Sequence, residues 1–510
     1  MHFIQGNDRK QAYLFPVTME DAIDSDNEVR VIDLFVDSIH LTDFDFTIKV
    51  TSEGRPAYHP TDLLKLFIYG YLNRIRSSRK LEKECRRNIE LMWLLKGLVP
   101  DHNTISSFRK DNARAIKQVF RYTVSIAKHF DLIGGKLIAG DSTKLRAENS
   151  KKNNYNPKKI ERHLAYIEGK LETYTRALAQ ADQDNREQIS KEIAKQQSRK
   201  AHYHALEKQL EESGEPQVST SDPDSRQLIT RNNITEVAYN VQTTVDAKHG
   251  LPVDFRVTNQ NDSKAMGGML RRAKSILPST HFTALYDKGY HTGSEIKTGL
   301  NLGIQLMVAI PEVASGAPDE SYNVSQFRYD EIQDTFNCPQ NQLLITNGSW
   351  YQKNRGKSFT QVKHYKTSAC TSCPAKELCT RNPKGRLIER SEHASYIEQN
   401  KQNIEADPQT YKRRQAIVEH PYGTIKRQWG FYHILTKKGM KRASADVGLV
   451  LIAYNLRRMI NILDKNTLKA YLERLISFFV VKMVLFNPHT FRLSLPKNFQ
   501  LSSGNFKVAA

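Results

Sequence analysis

Two aspartates stand where apolar runs end: Asp141 follows Leu137-Ile138-Ala139-Gly140, and Asp287 follows Thr283-Ala284-Leu285-Tyr286. A third acid, Glu419, lies in YKRRQAIVEHPYGTIKRQWG, with Lys412, Arg413, Arg414, Lys426 and Arg427 around it. Nine basic residues and this one acid occupy Tyr411 to Arg442, so nothing else there balances the charge. Hard divalent cations such as Mg²⁺ or Mn²⁺ take oxygen ligands, and carboxylates from separate elements can share two ions roughly 3.5 to 4 Å apart. One ion activates an attacking water or 3′-hydroxyl and the other stabilises the leaving oxygen, which is what phosphodiester cleavage needs. Each acid also has a plainer reading: a strand-end Asp often forms a turn, and Glu419 could be an ion-pair partner in a basic, DNA-facing helix.

Other acids compete. Asp222, Asp224, Asp246 and Asp262 read mainly as loop or turn residues, with Asp246 the nearest rival because it ends a strand before the Lys248-His249-Gly250 turn. Tyr290 and Trp429 flank the candidate acids and could stack on an unpaired base, although core packing suits Trp429 better. Cys338, Cys370, Cys373 and Cys379 form C-x31-C-x2-C-x5-C, a spacing that could hold a structural Zn²⁺ or could leave four reduced thiols in a loop-rich segment. His364 is a substitute ligand in the first case. Cys85 reads as an unrelated buried thiol.

The elements that must position these groups fall into an α/β pattern. Residues 136–141 and the strands of HFTALYDKGY and QLMVAI are short apolar runs, VAYNVQTTVD and LPVDFRV form a hairpin, and helices intervene. Mixed α/β topology follows. Between the first strand and the hairpin, Ile160, Leu164, Ile167, Leu171, Tyr174 and Leu178 recur at steps of four and three, and a weaker second helix follows a polar turn near 182–185. This predicts an antiparallel helical hairpin inserted at 150–225. A second insertion, 311–395, is rich in turns and holds the four cysteines.

Ahead of this region, Pro60 and the run Leu63, Leu64, Phe67, Ile68, Tyr71 and Leu72 predict a helix, and further short helices carry Arg79, Lys80, Arg86 and Arg87. That is a small basic bundle over 55–130, either a DNA-binding domain or a structural bundle with a solvated basic face. A 1–54 arm precedes it. The main domain is expected over 131–460, with a C-terminal helix and basic tail over 461–510.

Composition narrows the partners. A formal charge of +21 favours a polyanion such as double-stranded DNA over small acidic substrates. The most apolar stretch, Leu475–Phe486, is too short to span a membrane and contains Lys482, so it reads as a buried helix. The N-terminus shows no signal-peptide pattern, and five cysteines, an odd count, suit a reducing compartment, with the bacterial cytoplasm and nucleoid as the expected location.

GDSTKL, LYDKGYHTG and Y-x2-R-x4-E-x6-K together resemble the DDE transposases of bacterial insertion sequences, the group with a Tyr-Arg-Glu-Lys signature. The N-terminal PTDLLKLFIYGYLNRIRSSRKLEKECRRN and PDHNTISSFRK resemble that family's helical DNA-binding segment, so the likeness spans about 55–460. The resemblance implies an RNase H-like catalytic core, Asp141, Asp287 and Glu419 as ligands for two Mg²⁺ or Mn²⁺ ions, and Tyr411, Arg414 and Lys426 at DNA phosphates, with Arg427 alongside. It also implies a homodimer that pairs two terminal inverted repeats and joins them to target DNA. Alternatives are an RNase H-like nuclease or resolvase, and a silent DNA-binding regulator. One departure concerns Arg414: four residues separate it from Glu419 where the family has three. On an unbroken helix this turns Arg414 about 140° off the Glu419 face and leaves Gln415 in the matching slot. Pro421 must also disturb the helix between Glu419 and Lys426.

Overall fold

Apolar spacing and local caps set six N-terminal helices: α1 (Glu28–Asp37), α2 (Pro60–Leu72), α3 (Ser78–Cys85), α4 (Ile89–Leu94), α5 (His102–Asp111) and α6 (Ala113–His129). Asn27, Asn88 and Asp101 cap α1, α4 and α5 through backbone N–H groups, and α2 starts on its proline. The computed structural model describes residues 18–47, 56–230, 234–312, 317–355, 358–436 and 438–486. The expected arm is therefore described only at 18–47, and the basic tail from 487 lies outside the described residues.

The chain divides into two units, 1–123 with 441–510, and 124–440. In the first, α2 buries almost every side chain from Leu63 to Leu72. The sequence reading ended the main domain at 460, but the chain joins the helical unit from Lys441 onward. Asp446 gives the reason. It is fully buried, accepts a bond from Arg76 at 2.6 Å, lies 3.5 Å from Arg109, and receives the Tyr71 hydroxyl. Two buried guanidiniums at this helical core require a carboxylate, which the helix Met440–Leu463 supplies. The last helix, Lys465–Phe486, packs Leu468 and Leu472 into the core ahead of the stretch expected to be buried; within that stretch Leu475 and Ile476 are half-buried and Phe478 is exposed, and the side chains from 479 lie outside the described residues.

The second unit is built around β1 (Leu137–Arg146). After β1 come β2 (Asn154–Tyr155), α7 (Pro157–Gln180), α8 (Gln183–Ser213), β3 (Val218–Ser219), β4 (Arg226–Ile229), β5 (Thr235–Asp246) and β6 (Leu251–Thr258). Then follow α9 (Met266–Ile276), β7 (Thr283–Tyr286), α10 (Gly293–Asn301) and β8 (Gln305–Val308). The sheet runs β4-β5-β1-β7-β8, with β6 also paired to β5. β1 is antiparallel to β5 and parallel to β7, with Leu137, Ile138 and Ala139 opposite Thr283, Ala284 and Leu285.

The inserted hairpin of α7 and α8 buries Ile160, Ile167, Tyr203, Leu206 and Leu210 near its base, while Ile189 and Ile193 are only half-buried. Its base is tied by β2 pairing with β3. Residues 317–391 form a separate small module. One sheet holds β9 (Arg328–Asp330), β10 (Thr335–Asn337) and β11 (Leu343–Leu344). The other holds β12 (Trp350–Arg355), β13 (Ser358–Tyr365) and β14 (Ile388–Ser391), with a one-turn α11 (Lys376–Cys379) between β13 and β14.

Helices α12 (Ala394–Ala406) and α13 (Pro408–Tyr422) then return to the main sheet. The buried Asn400 acts as a missing strand: it accepts from Val308 N–H at 2.7 Å and donates to Val308 C=O at 2.9 Å, and Asn403 donates to Leu306 C=O at 3.0 Å. This satisfies the exposed edge of β8. One sheet face buries Ala139, Val245, Leu285 and Met307 against Ile417 and Val418 of α13, while Leu306 points the other way toward Leu270 and Gly299 of α9 and α10. α14 (Met440–Leu463) and α15 (Lys465–Phe486) complete the chain order.

Asp446→Ala would leave the buried Arg76 and Arg109 without the carboxylate they share. A destabilisation of about 3–5 kcal/mol is expected in chemical unfolding of the full chain, and an unchanged unfolding midpoint would show that the buried cluster does not hold the helical unit.

Candidate active site

Asp141 sits in β1, two residues beyond its last pairing with β7, and Asp287 is the first residue after β7. Parallel strands therefore carry the two acids to the same end of the sheet. Gly140 permits the approach: a Cβ there would stand 2.0 Å from the Tyr286 ring, so only a bare Cα lets the buried tyrosine lie beside β1. Asp287 caps the turn Lys288–Tyr290 by accepting from Gly289 N–H at 2.8 Å.

The Asp141 carboxylate accepts one short bond, from Ser142 N–H at 2.7 Å, and lies 3.4 Å from Arg414 of α13. Burial is the main cause that pushes its pKa up to about 6; Asp287 and Asp262 add to the rise, while Ser142 and Arg414 oppose it. Asp262 behaves differently. Burial opposes its charge, but Lys144 at 3.1 Å and the side-chain amides of Asn240 at 2.7 Å and Gln242 at 2.6 Å outweigh it and hold the carboxyl below its usual range. The buried Tyr290 donates to Gln242 at 2.5 Å, so it braces this network and is not available to stack on a base. Among neighbouring acids, Asp262 is thus ionised with its donors in place, and Asp141 is short of them.

α13 is fastened over these strand ends. The Tyr411 hydroxyl donates to Tyr286 C=O at 3.2 Å, one residue before Asp287, and the Tyr422 hydroxyl lies 3.2 Å from Asp141 C=O and bonds Thr243. Val418 packs between them on the sheet. Glu419 is exposed on this helix and accepts from Gln415 at 2.9 Å, while Arg414 turns to Asp141. Pro421, lacking an N–H, stays within the helix, and the chain continues as a wider π turn over Gly423–Gln428. Lys426 consequently reaches Lys144 C=O at 3.2 Å, and Arg427 is exposed.

The remaining sequence candidates separate cleanly. Asp246 is fully buried and accepts from Gly134, Gly135 and Lys248 N–H groups at 2.8–3.0 Å, a structural tie for the hairpin turn. Asp222 accepts from Tyr239 and Gly439, and Asp224 from Met440. Trp429 is buried against Phe431. In the helical unit, Arg79 and Lys80 are exposed on α3, whereas Arg86 and Arg87 sit beside Glu82 and Glu84. Asp262 and Tyr422 were missed as site residues; Asp262, within an Asn-Asp-Ser turn, gave no pattern that marks it, and Lys144 lay unremarked inside GDSTKL.

Oxygen donors of this type suit a hard divalent ion, and the incompletely satisfied Asp141 suits it best. As the side chains stand, no group of three His, Cys, Asp or Glu among the described residues is close enough to hold one. No described helix is long and apolar enough to cross a membrane.

Residues 17–111 match the model of a transposase domain, DUF772, and residues 337–460 match that of a transposase DDE domain. No curated protein matches. A cryo-EM structure of a piggyBac transposase synaptic complex with hairpin DNA aligns over 94% of this chain and 87% of that one, at 8% identity and a TM-score of 0.28, too distant to bear on this chain. The two domain matches together support a DDE transposase of the insertion-sequence type.

Proposed function

We propose that the chain cuts and joins DNA phosphodiesters at the ends of its element, using a site centred on Asp141 and Asp287. The observation that carries this reading is the meeting of these two carboxylates where the parallel pairing of β1 with β7 ends, with Asp141 left short of donors. Glu419 is the third carboxylate, released from Gln415 and turned inward on α13. Asp141, Asp287 and Glu419 would hold two Mg²⁺ or Mn²⁺ ions, whose contribution when bound is to acidify the attacking hydroxyl and stabilise the leaving oxygen.

The protein's own groups set the geometry. Arg414 and Lys426 bring positive charge to the strand ends, where a DNA phosphate approaches a cluster of acids it would otherwise avoid. Asp262 keeps Lys144 beside Ser142, so that Lys144 does not close on Asp141. The mixed sheet, with an antiparallel hairpin on one side of β1, parallel strands on the other and α13 across one face, supports an RNase H-like core, and Tyr411, Arg414, Glu419 and Lys426 support the Tyr-Arg-Glu-Lys group. Arg79, Lys80, Arg86, Arg87 and Arg427 contribute phosphate contacts, and a homodimer pairs two inverted repeats.

Full-length protein, DNA carrying the ends of the encoding element, and Mg²⁺ or Mn²⁺ provide the test. Asp141→Ala, Asp287→Ala and Glu419→Gln should each lower cleavage and strand joining by about a thousandfold or more, a loss of several kcal/mol of transition-state stabilisation. Variants as active as wild type would remove these residues from the chemistry. Asp262→Asn is expected to weaken the apparent Mg²⁺ affinity in cleavage by roughly 10- to 100-fold with folding intact, as for a group that positions a metal site from behind; an unchanged Mg²⁺ dependence would reduce Asp262 to a structural tie.

A further inference from the structure

The module over 317–391 has little to hold it together. Its core cluster consists of Phe327, Phe336, Leu344, Tyr365 and Ile388, with Tyr329, Cys338 and Cys379 partly buried against it. Small apolar cores of this kind usually need a staple, a disulfide or a metal. All four cysteines here are free thiols. Three separate pieces of local structure deliver them: Cys338 follows β10, Cys370 and Cys373 flank the end of the turn Ser368–Thr371, and Cys379 ends α11.

These turns converge. Cys338, Cys370, Cys373 and Cys379 line one small cavity together with Phe327, Leu344, Lys376 and Arg386. The Cys338 turn is closed by Asn341 N–H to Cys338 C=O at 2.8 Å, with Asn341 at a left-handed φ of 55°, and Gln342 N–H points at Cys338 Sγ at 3.3 Å. A backbone N–H directed at sulfur stabilises a thiolate. Gly385, also left-handed at φ 89°, lets the opposite wall close: a Cβ there would fall 2.4 Å from the Cys370 Cβ. His364 lies elsewhere, stacked on Tyr351 with ring centroids 4.4 Å apart and facing Glu389, which removes it as a substitute ligand.

We propose that Cys338, Cys370, Cys373 and Cys379 bind one structural Zn²⁺ that staples the 317–391 module. Four soft thiolates in a tetrahedral arrangement select zinc over the hard ions proposed for the acidic site. Ligation needs side-chain movement, since no three candidate ligands among the described residues stand at holding distance. The four thiols already line one cavity. On losing their protons they would rotate within the shared cavity until each sulfur lies about 2.3 Å from the ion. Lys376 and Arg386, lining the same cavity, offset the net negative charge of a four-thiolate zinc centre.

The test uses the full chain purified under reducing conditions, with zinc as the probe. Elemental analysis should give about one zinc per chain, and Co²⁺ exchanged into the site should show the sulfur-to-cobalt absorption of tetrahedral thiolate ligation. Cys370→Ser and Cys373→Ser should lose the metal, and Cys85→Ser should keep it. Should the serine variants misfold, thiol titration of wild type decides instead: four thiols protected until a chelator is added are expected. Wild type without stoichiometric zinc, iron in its place, a disulfide among these cysteines, or full zinc in both serine variants would each overturn the assignment. None of these outcomes depends on DNA cleavage, so the zinc site stands or falls separately from the acidic one.

Discussion

Parallel pairing of β1 with β7 carries two carboxylates to the same end of that pair, where burial and the charge of Asp287 both work against an ionised Asp141. The fold does not relieve this at Asp141. It could have done so, because a few residues away the same chain satisfies Asp262 with Lys144, Asn240 and Gln242, and Asp246 with three backbone N–H groups. The contrast separates acids whose charge the fold satisfies from one that it leaves short of donors. Unrelieved charge of this kind costs stability, and the surrounding packing offsets it.

That packing explains why α13 matters more than its exposed acid suggests. Tyr411, Val418 and Tyr422 recur on one face and tie the helix to the strand ends beside Asp287 and Asp141. Arg414 shares that face. Upstream, Asn400 and Asn403 of α12 complete the hydrogen bonding of β8, so the edge strand is closed by the helix that precedes α13. The π turn after Pro421 then redirects Lys426 toward β1.

Much of this was legible in the sequence. The strand end before Asp287 follows from an apolar run that stops at a polar residue, and the helical hairpin follows from its four-three spacing, whereas β1 does not stop at Asp141 as its apolar run suggests but continues to Arg146, because pairing with β5 holds it extended. At about 100° per residue, helix spacing also places Gln415, not Arg414, beside Glu419, as the hydrogen bond between them shows. What the sequence hid were contacts that depend on three dimensions. Asp262 sits in a turn indistinguishable from many others, and only pairing of β5 with β6 brings it under Asn240 and Gln242. Asp446 lies in an apolar helix read as part of the main domain, and its partners Arg76 and Arg109 are more than three hundred residues away in sequence. Tyr290 looked available for stacking until the sheet buried it.

Iron-directed cleavage addresses the central claim, that Asp141, Asp287 and Glu419 hold the divalent ions. With Fe²⁺ in place of Mg²⁺, ascorbate and peroxide generate hydroxyl radicals at the ion, which cut the nearest polypeptide. Fragments ending near residues 141, 287 and 419, all suppressed by excess Mg²⁺ and by Asp141→Ala, are the expected result. Cuts confined to other segments, or cuts at 141 and 287 with none at 419, would contradict the three-carboxylate site.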